Sequence, residues 1–409
     1  MADFSKILNN IKKGNGKESN SLKTEDIDFV IGRLESSDPE MQLFGIDYCF
    51  KALSSQNGKE ILEYGGIGVF VDFVHLAVNG VQFDIQSLSI KCLLLCIDKY
   101  SYENLEPLST TVFLDFLHNS LCNIQEIDFL NICLKILSIV YSDSHEVREY
   151  FTYEKIMSIL DTLPLEANSA EFFSVYFQNI GDVKEAHYPL IEYIHNFLET
   201  NNPDNISQAL NSISILITKQ AYPFDIDMIR DRVYQFLRSD DKRLVIGAFA
   251  TLETFYPVKS SDIDAVIECL TISDINSSQA LTYLKRKFEV LSDDYSDRII
   301  EVLIDNLNSF SYNGKRSAVF LISMCLNYVS DVDSRIIGVL AEYLTDKIIV
   351  HDSISALLRI AQKFSNTKFE WFFSQMIDYI NDIEAIVSNP KVETSEAAEL
   401  LLKILSGQK

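Results

Sequence analysis

The residue types that most often do chemistry are thinly spread along this 409-residue chain, and their spacing does not suit the common reactions. Six histidines are scattered, and His187 and His195 stand eight apart, whereas two metal ligands on one helical turn need a separation of about three or four. His145–Glu146, after Ser144, is a lone His-Glu pair, and one pair cannot build a dinuclear iron centre. Asp293–Asp294 and Asp240–Asp241 put carboxylates side by side, but among 59 acids such adjacency is expected, and both pairs fall in turn-like sequence. No HExxH, P-loop, GxGxxG or GxSxG pattern occurs, and Gly14 and Gly16 sit in a polar linker with no strand before them. No catalytic, cofactor-binding or metal-ligating residue is assigned, so the expectation is a protein that is not an enzyme and has no cofactor.

The seven cysteines contain no CxxC, and most lie in apolar helical runs: Cys92, Cys96, Cys133, Cys269 and Cys325. Cys92 and Cys96 are one helical turn apart and can face the same buried neighbour. Reduced, buried thiols in an intracellular protein follow as the expectation, cytoplasmic or nuclear. Met1 to Lys13 is charged throughout and has no apolar h-region, so it does not read as a secretory signal. Without secretion the sequons at Asn205 and Asn276 carry no meaning. The densest apolar stretch, Cys92–Ile97, is too short to span a bilayer.

The elements that would position any site are helices in a repeat. A small or apolar landmark recurs about every 38 residues: Ser87, Phe129, Phe172, Ala209, Ala248, Ala280, Ala318, Ala356 and Ala397. Eight prolines and 14 glycines are few for this length, which favours long helices and short connections, and strand-like alternation is absent. Asp38–Pro39 and Asn202–Pro203 each place a cap before a proline at the first helical position. Asn168 with Glu171 forms a capping-box pattern, and Asp240, Asp262, Asp274 and Asp331 read as further caps. Ile67 to Val78 is apolar nearly all round, so it is expected to be sandwiched between neighbours.

Residues 1–24 differ from the rest: five lysines face two acids. Phe4, Ile7, Leu8 and Ile11 make a short apolar stripe that either caps the first repeat or docks elsewhere, and residues 14–24 read as a flexible linker. The whole chain carries a net charge of −24, which repels phosphate backbones and argues against nucleic acid as partner. Acidity at helix starts suits capping, and it leaves room for a partner with a basic surface. Within this acidic body Lys285-Arg286-Lys287 is a basic triplet, either a solvated face, an internal partner for nearby acids, or a contact for an acidic partner.

Residues Glu60 to Val74, with Gly65–Gly66 ahead of an apolar helix, resemble the junction of an armadillo repeat, and Gln86 to Ile97 looks like that repeat's last helix. Later stretches lack the glycine pair and resemble generic HEAT or armadillo-like two-helix repeats. The resemblance implies an all-α fold: a right-handed superhelical α-solenoid of about nine to ten helix pairs over residues 25–409. It further implies that the second helix of each pair lines the binding face. Armadillo adaptors of nuclear import use an asparagine ladder backed by tryptophans. Here those slots hold Leu95, Ile136 and Ile215, and the only tryptophan is Trp371. Polar or aromatic residues that interrupt the apolar runs are the protein-binding candidates: Asn131, Asn211, Tyr283, Arg286, Arg359 and Trp371, the last with Phe369, Phe372 and Phe373. The expected role is a protein-interaction scaffold, with a chaperone or assembly-factor adaptor as the alternative and a nuclear-transport adaptor disfavoured by the missing ladder. No membrane partner is expected.

Overall fold

The structure, a computed structural model, describes residues 24–55, 58–101, 103–164, 169–288, 293–329, 331–364, 368–388 and 394–407. The basic segment 1–23, with its apolar stripe, and Asn168 of the capping-box pattern lie outside the described residues. Those described are helical, with no strand among them, and the chain divides into two compact units, Met1–Phe197 and Leu198–Lys409.

In the first unit, α1 (Thr24–Leu34) and α2 (Pro39–Ser54) precede α3 (Gly58–Asn79) and α4 (Phe83–Tyr100). Asp38 caps α2 as expected, accepting from the Glu40 amide at 3.0 Å with Pro39 behind it. The glycine pair breaks α3. Gly66 takes φ +55°, which a side chain disfavours, and a Cβ at Gly65 would collide with Val69. By length and composition α3 is long and apolar enough to cross a membrane, but Gly66 splits it into two shorter helical pieces. Val69, Phe70, Phe73, Leu76 and Ala77 bury one side of the second piece. Its other side is open, Ile67 and Val71 being 52% and 43% exposed, so it is not sandwiched all round.

Next come α5 (Thr111–Asn123), α6 (Ile127–Asp143), α7 (His145–Tyr150), α8 (Tyr153–Leu160), α9 (Ser169–Asn179) and α10 (Tyr188–Asn196). The short helices α7 and α8 and the 3-10 turns Glu106–Ser109 and Glu185–His187 are among the elements that were not foreseen. The longer helices form two layers. The first-helix layer packs α1 on α3, α3 on α5 and α5 on α8, and the second-helix layer packs α2 on α4, α4 on α6 and α6 on α9.

The second unit is built of pairs: α11 (Pro203–Thr218), α12 (Asp227–Leu237) with α13 (Lys242–Thr254), α14 (Ser260–Cys269) with α15 (Asp274–Lys287), α16 (Asp293–Asn306) with α17 (Tyr312–Cys325), α18 (Ser334–Glu342) with α19 (Val350–Phe364). The stretch expected as one helix from Phe369 is split by a 3-10 turn into α20 (Phe369–Met376) and α21 (Ile380–Val387), and α22 (Ser395–Leu405) follows. Here the second-helix layer runs α11, α13, α15, α17, α19, α22, each packed on the next.

The landmarks mark where successive second helices approach. Phe129, Phe172, Ala209, Ala248, Ala280, Ala318 and Ala356 are all 0% exposed, and in the last helix the buried residue is Ala398 rather than Ala397. Several expected caps shift by a residue or two. Asp241, not Asp240, caps α13, Ser273 precedes Asp274 as the cap of α15, and Asp333 caps α18 in place of Asp331. Asp262 is no surface cap. It is 0% exposed, accepts the Lys259 amide at 2.8 Å and takes a buried ion pair from Arg230. Asn205 and Asn276 are buried too, which removes both sequons as acceptor sites in the folded chain.

All seven cysteines are free, and Cys49, Cys92 and Cys96 lie buried on α2 and α4. Desolvation pushes the thiols of Cys49 and Cys96 up to about 12, so they stay protonated and pack as small hydrophobes.

Candidate functional site

The second-helix layer is the surface to which the sequence assigned binding, and the side chains expected to bind do two different things there. Some of them, together with polar side chains that were not among the candidates, close the joint between repeats. The last carbonyls of a helix lack intrahelical donors and carry partial negative charge, so a donor from the following repeat satisfies them. Lys99 on α4 donates to Leu53 O at 2.8 Å and Ser55 O at 2.6 Å at the end of α2. Asn276 on α15 donates to Leu237 O at the end of α12, at 2.5 Å. Lys287 reaches Glu253 O at the end of α13, at 2.9 Å, and Arg359 on α19 donates to Ser323 O near the end of α17.

This arrangement corrects several expected sites. Arg286 is exposed but occupied: its Nη1 contacts both carboxylate oxygens of Glu253 at 2.7 Å. Arg359 is half-buried and committed to Ser323. Tyr283 is 1% exposed, packed 6.3 Å from the Phe249 ring, with its hydroxyl lacking a hydrogen-bond partner among the described residues; it is core, not a docking anchor. Burial raises its phenol above the ordinary range. Trp371 stands edge-on to Phe364 of the preceding repeat at 5.7 Å, and Phe372 is buried, so this aromatic cluster is mainly packing. Asn131 on α6 is half-buried and Asn211 on α11 is exposed. They belong to different units, and no common site between them is described.

Leu95 and Ile215 are half-buried and Ile136 is fully buried, so the three slots where import adaptors carry asparagine are used for packing. Among the described residues no group of three or more His, Cys, Asp or Glu side chains comes together as a metal-binding set.

The remaining member of the basic triplet points elsewhere. Lys285 is exposed, with its ammonium 4.8 Å from the centre of the Phe320 ring one repeat on. Lys285 on α15, Asn313, Arg316, Ser317 and Phe320 on α17, and Asp352 on α19 line an open depression of about 480 Å³. Phe320 is 36% exposed, and Arg316 is exposed with no ion-pair or hydrogen-bond partner among the described residues. Three successive second helices thus contribute to one patch. The sequence singled out Lys285 as part of the triplet but offered no signal for Arg316 or Phe320, because their register with Lys285 is set 31 and 35 residues away.

No family model matches the chain, and no curated protein matches it. Solved structures do. The chain is similar to an engineered protein from a structural genomics programme, with a TM-score of 0.59 at 16% identity over 93% of this chain and 99% of that one. It is also similar to a structure from a study of a phosphorylation switch in the interaction between cadherin and β-catenin, with a TM-score of 0.51 at 11% identity over 93% and 83% of the two chains. At these identities the likeness shows the fold, an all-α solenoid of armadillo-like type.

Proposed function

We propose that this chain is a non-enzymatic scaffold or adaptor that binds a protein partner along its second-helix layer. The observation that carries this is the patch at Lys285, Arg316 and Phe320, where two consecutive repeats present exposed side chains on one open surface whose rim includes the half-buried Asp352 of the third. Such a surface suits an extended protein segment, because shallow contacts to several repeats add up, whereas a small substrate is usually enclosed. The cadherin interaction named for the β-catenin structure makes protein binding a use that this fold supports.

Affinity purification of the full chain from its native cell, read by mass spectrometry, tests the proposal. A stoichiometric protein complex that weakens when second-helix residues are altered is the expected result. Absence of any protein partner, with turnover of a small molecule instead, ends it. A chaperone or proteasome subunit as the stoichiometric partner would specify the adaptor form.

A further inference from the structure

We infer that the depression at Lys285, Arg316 and Phe320 docks an acidic peptide segment of the partner protein, an inference that rests on the scaffold role proposed above. Charge in the second unit is segregated by layer. Its second helices, α11, α13, α15, α17, α19 and α22, hold ten Lys and Arg against six Asp and Glu, whereas its first helices, α12, α14, α16, α18, α20 and α21, hold four against 14. The second helices of the first unit, α2, α4, α6 and α9, hold four against seven, so the basic excess is particular to one layer of one unit.

Within that layer five of the ten cations are already used: Arg243 by Asp204 and Asp241, Arg286 by Glu253, Lys287 by the Glu253 carbonyl, Arg359 by Ser323 and Lys403 by Glu399. Lys285 and Arg316 are the two that the depression leaves facing solvent. The planar fork of Arg316 matches a carboxylate, and the Phe320 ring holds the Lys285 ammonium in place before any ligand arrives. Phe320 adds an apolar surface between the two charges. Asn313 and Ser317 offer hydrogen bonds to a peptide backbone. Asp352, in the first turn of α19, is the one acid on the rim and repels a continuous polyanion.

The one step between the packed helices that carry Lys285 and Arg316 amounts to about 10 Å, which about three residues of extended peptide cover. A peptide with carboxylates flanking an apolar residue therefore fits better than a phosphate backbone, which would need many more neutralised charges and would meet the −24 of the whole chain.

The experiment is fluorescence anisotropy with the full chain and a labelled peptide of about twelve residues alternating Glu and Leu. Its controls are the same peptide with Gln for Glu and a single-stranded DNA of equal length. Saturable binding of the Glu peptide, falling with added salt, is expected. Lys285→Glu with Arg316→Glu should weaken it about tenfold or more, Phe320→Ala should weaken it less, and Lys347→Glu should leave it unchanged. Circular dichroism confirms that each variant is folded.

Equal binding of the Gln peptide, preference for the DNA, no binding of any probe, or indifference to the double reversal in a folded protein each overturns the inference. If the peptide fails while the native partner is still recovered equally by wild type and the double variant, the scaffold role stands and only this site falls. If no native partner is recovered at all, the scaffold role itself falls.

Discussion

The two units stack the same kind of repeat but join neighbours with different chemistry. In the first, repeats meet through rings. Tyr141 stands edge-on to Phe172 at 5.8 Å and Phe173 to Tyr193 at 5.6 Å, and Phe83 lies tilted against Phe129 at 5.1 Å. The ion pair that bridges repeats there, among the described residues, is Lys135 with Asp98 at 3.0 Å. In the second unit such bridges recur: Arg243 with Asp204, Arg238 with Glu268, Arg286 with Glu253, Arg298 with Asp264, Arg335 with Asp305, and the buried Arg230 with Asp262. Composition accounts for the difference. Residues 24–197 have nine Lys and Arg for 27 Asp and Glu, and residues 198–409 have 21 for 30. A unit so short of cations cannot match its acids across joints, and aromatic area does the work that charge does further along. The lesson is that the repeat period constrains where neighbours meet, not what they use to meet.

Phe172→Ala should give the largest effect, about 4 kcal/mol, because it removes a fully buried ring from the aromatic joint and leaves a cavity. Denaturant unfolding measures it, and hydrogen exchange should loosen α6 and α9 while α13 to α19 stay protected. Equal loosening of both units would break the contrast. Asp262→Ala comes next, at about 3 kcal/mol, since it removes the buried partner of the Arg230 guanidinium and leaves it only the half-exposed Asp227. The loss should appear as faster exchange in α12 and α14.

Tyr283→Phe is expected to be neutral or to stabilise by about 1 kcal/mol, because it deletes a buried hydroxyl with no partner among the described residues. A loss of partner binding in that variant would restore Tyr283 as a contact residue. The smallest effect concerns acid. Hydrogen bonds and the charge of Arg243 hold Asp241 at about 2, and partners also lower Asp227, Asp331 and Asp333. Such depressed carboxylates add stability that is fully present above the unfolded value of about 4 and is lost as pH falls through the lowered value of each, about 2 for Asp241. Exchange at the starts of α13 and α18 should therefore rise between pH 5 and pH 2, while the aromatic joint of α6 with α9 responds less. The reverse order would show that charge is not what holds the second unit's helix ends.

Much of the fold was legible in the sequence because it depends on neighbours a few residues away. Asp38–Pro39 and Asn202–Pro203 start helices where expected, and the recurring small residues lie at the helix contacts. Gly65–Gly66 marks a real break, since a positive φ is a local demand. The binding candidates fared differently. Tyr283 looked like an interruption of an apolar face, yet it lies three residues after Ala280 and shares its buried side. Lys285, Arg286 and Lys287 are adjacent and chemically alike, but one faces the depression, one pairs with a carboxylate and one satisfies a helix end.

The sequence by itself determined the helical repeat, most of its punctuation and the buried thiols, all of which follow from spacing within one or two helical turns. Only the tertiary structure decided which cations remain available to a partner. The groups that occupy or steady most of these come from a neighbouring repeat, some 30 to 40 residues away, and helical periodicity has no reach over that distance.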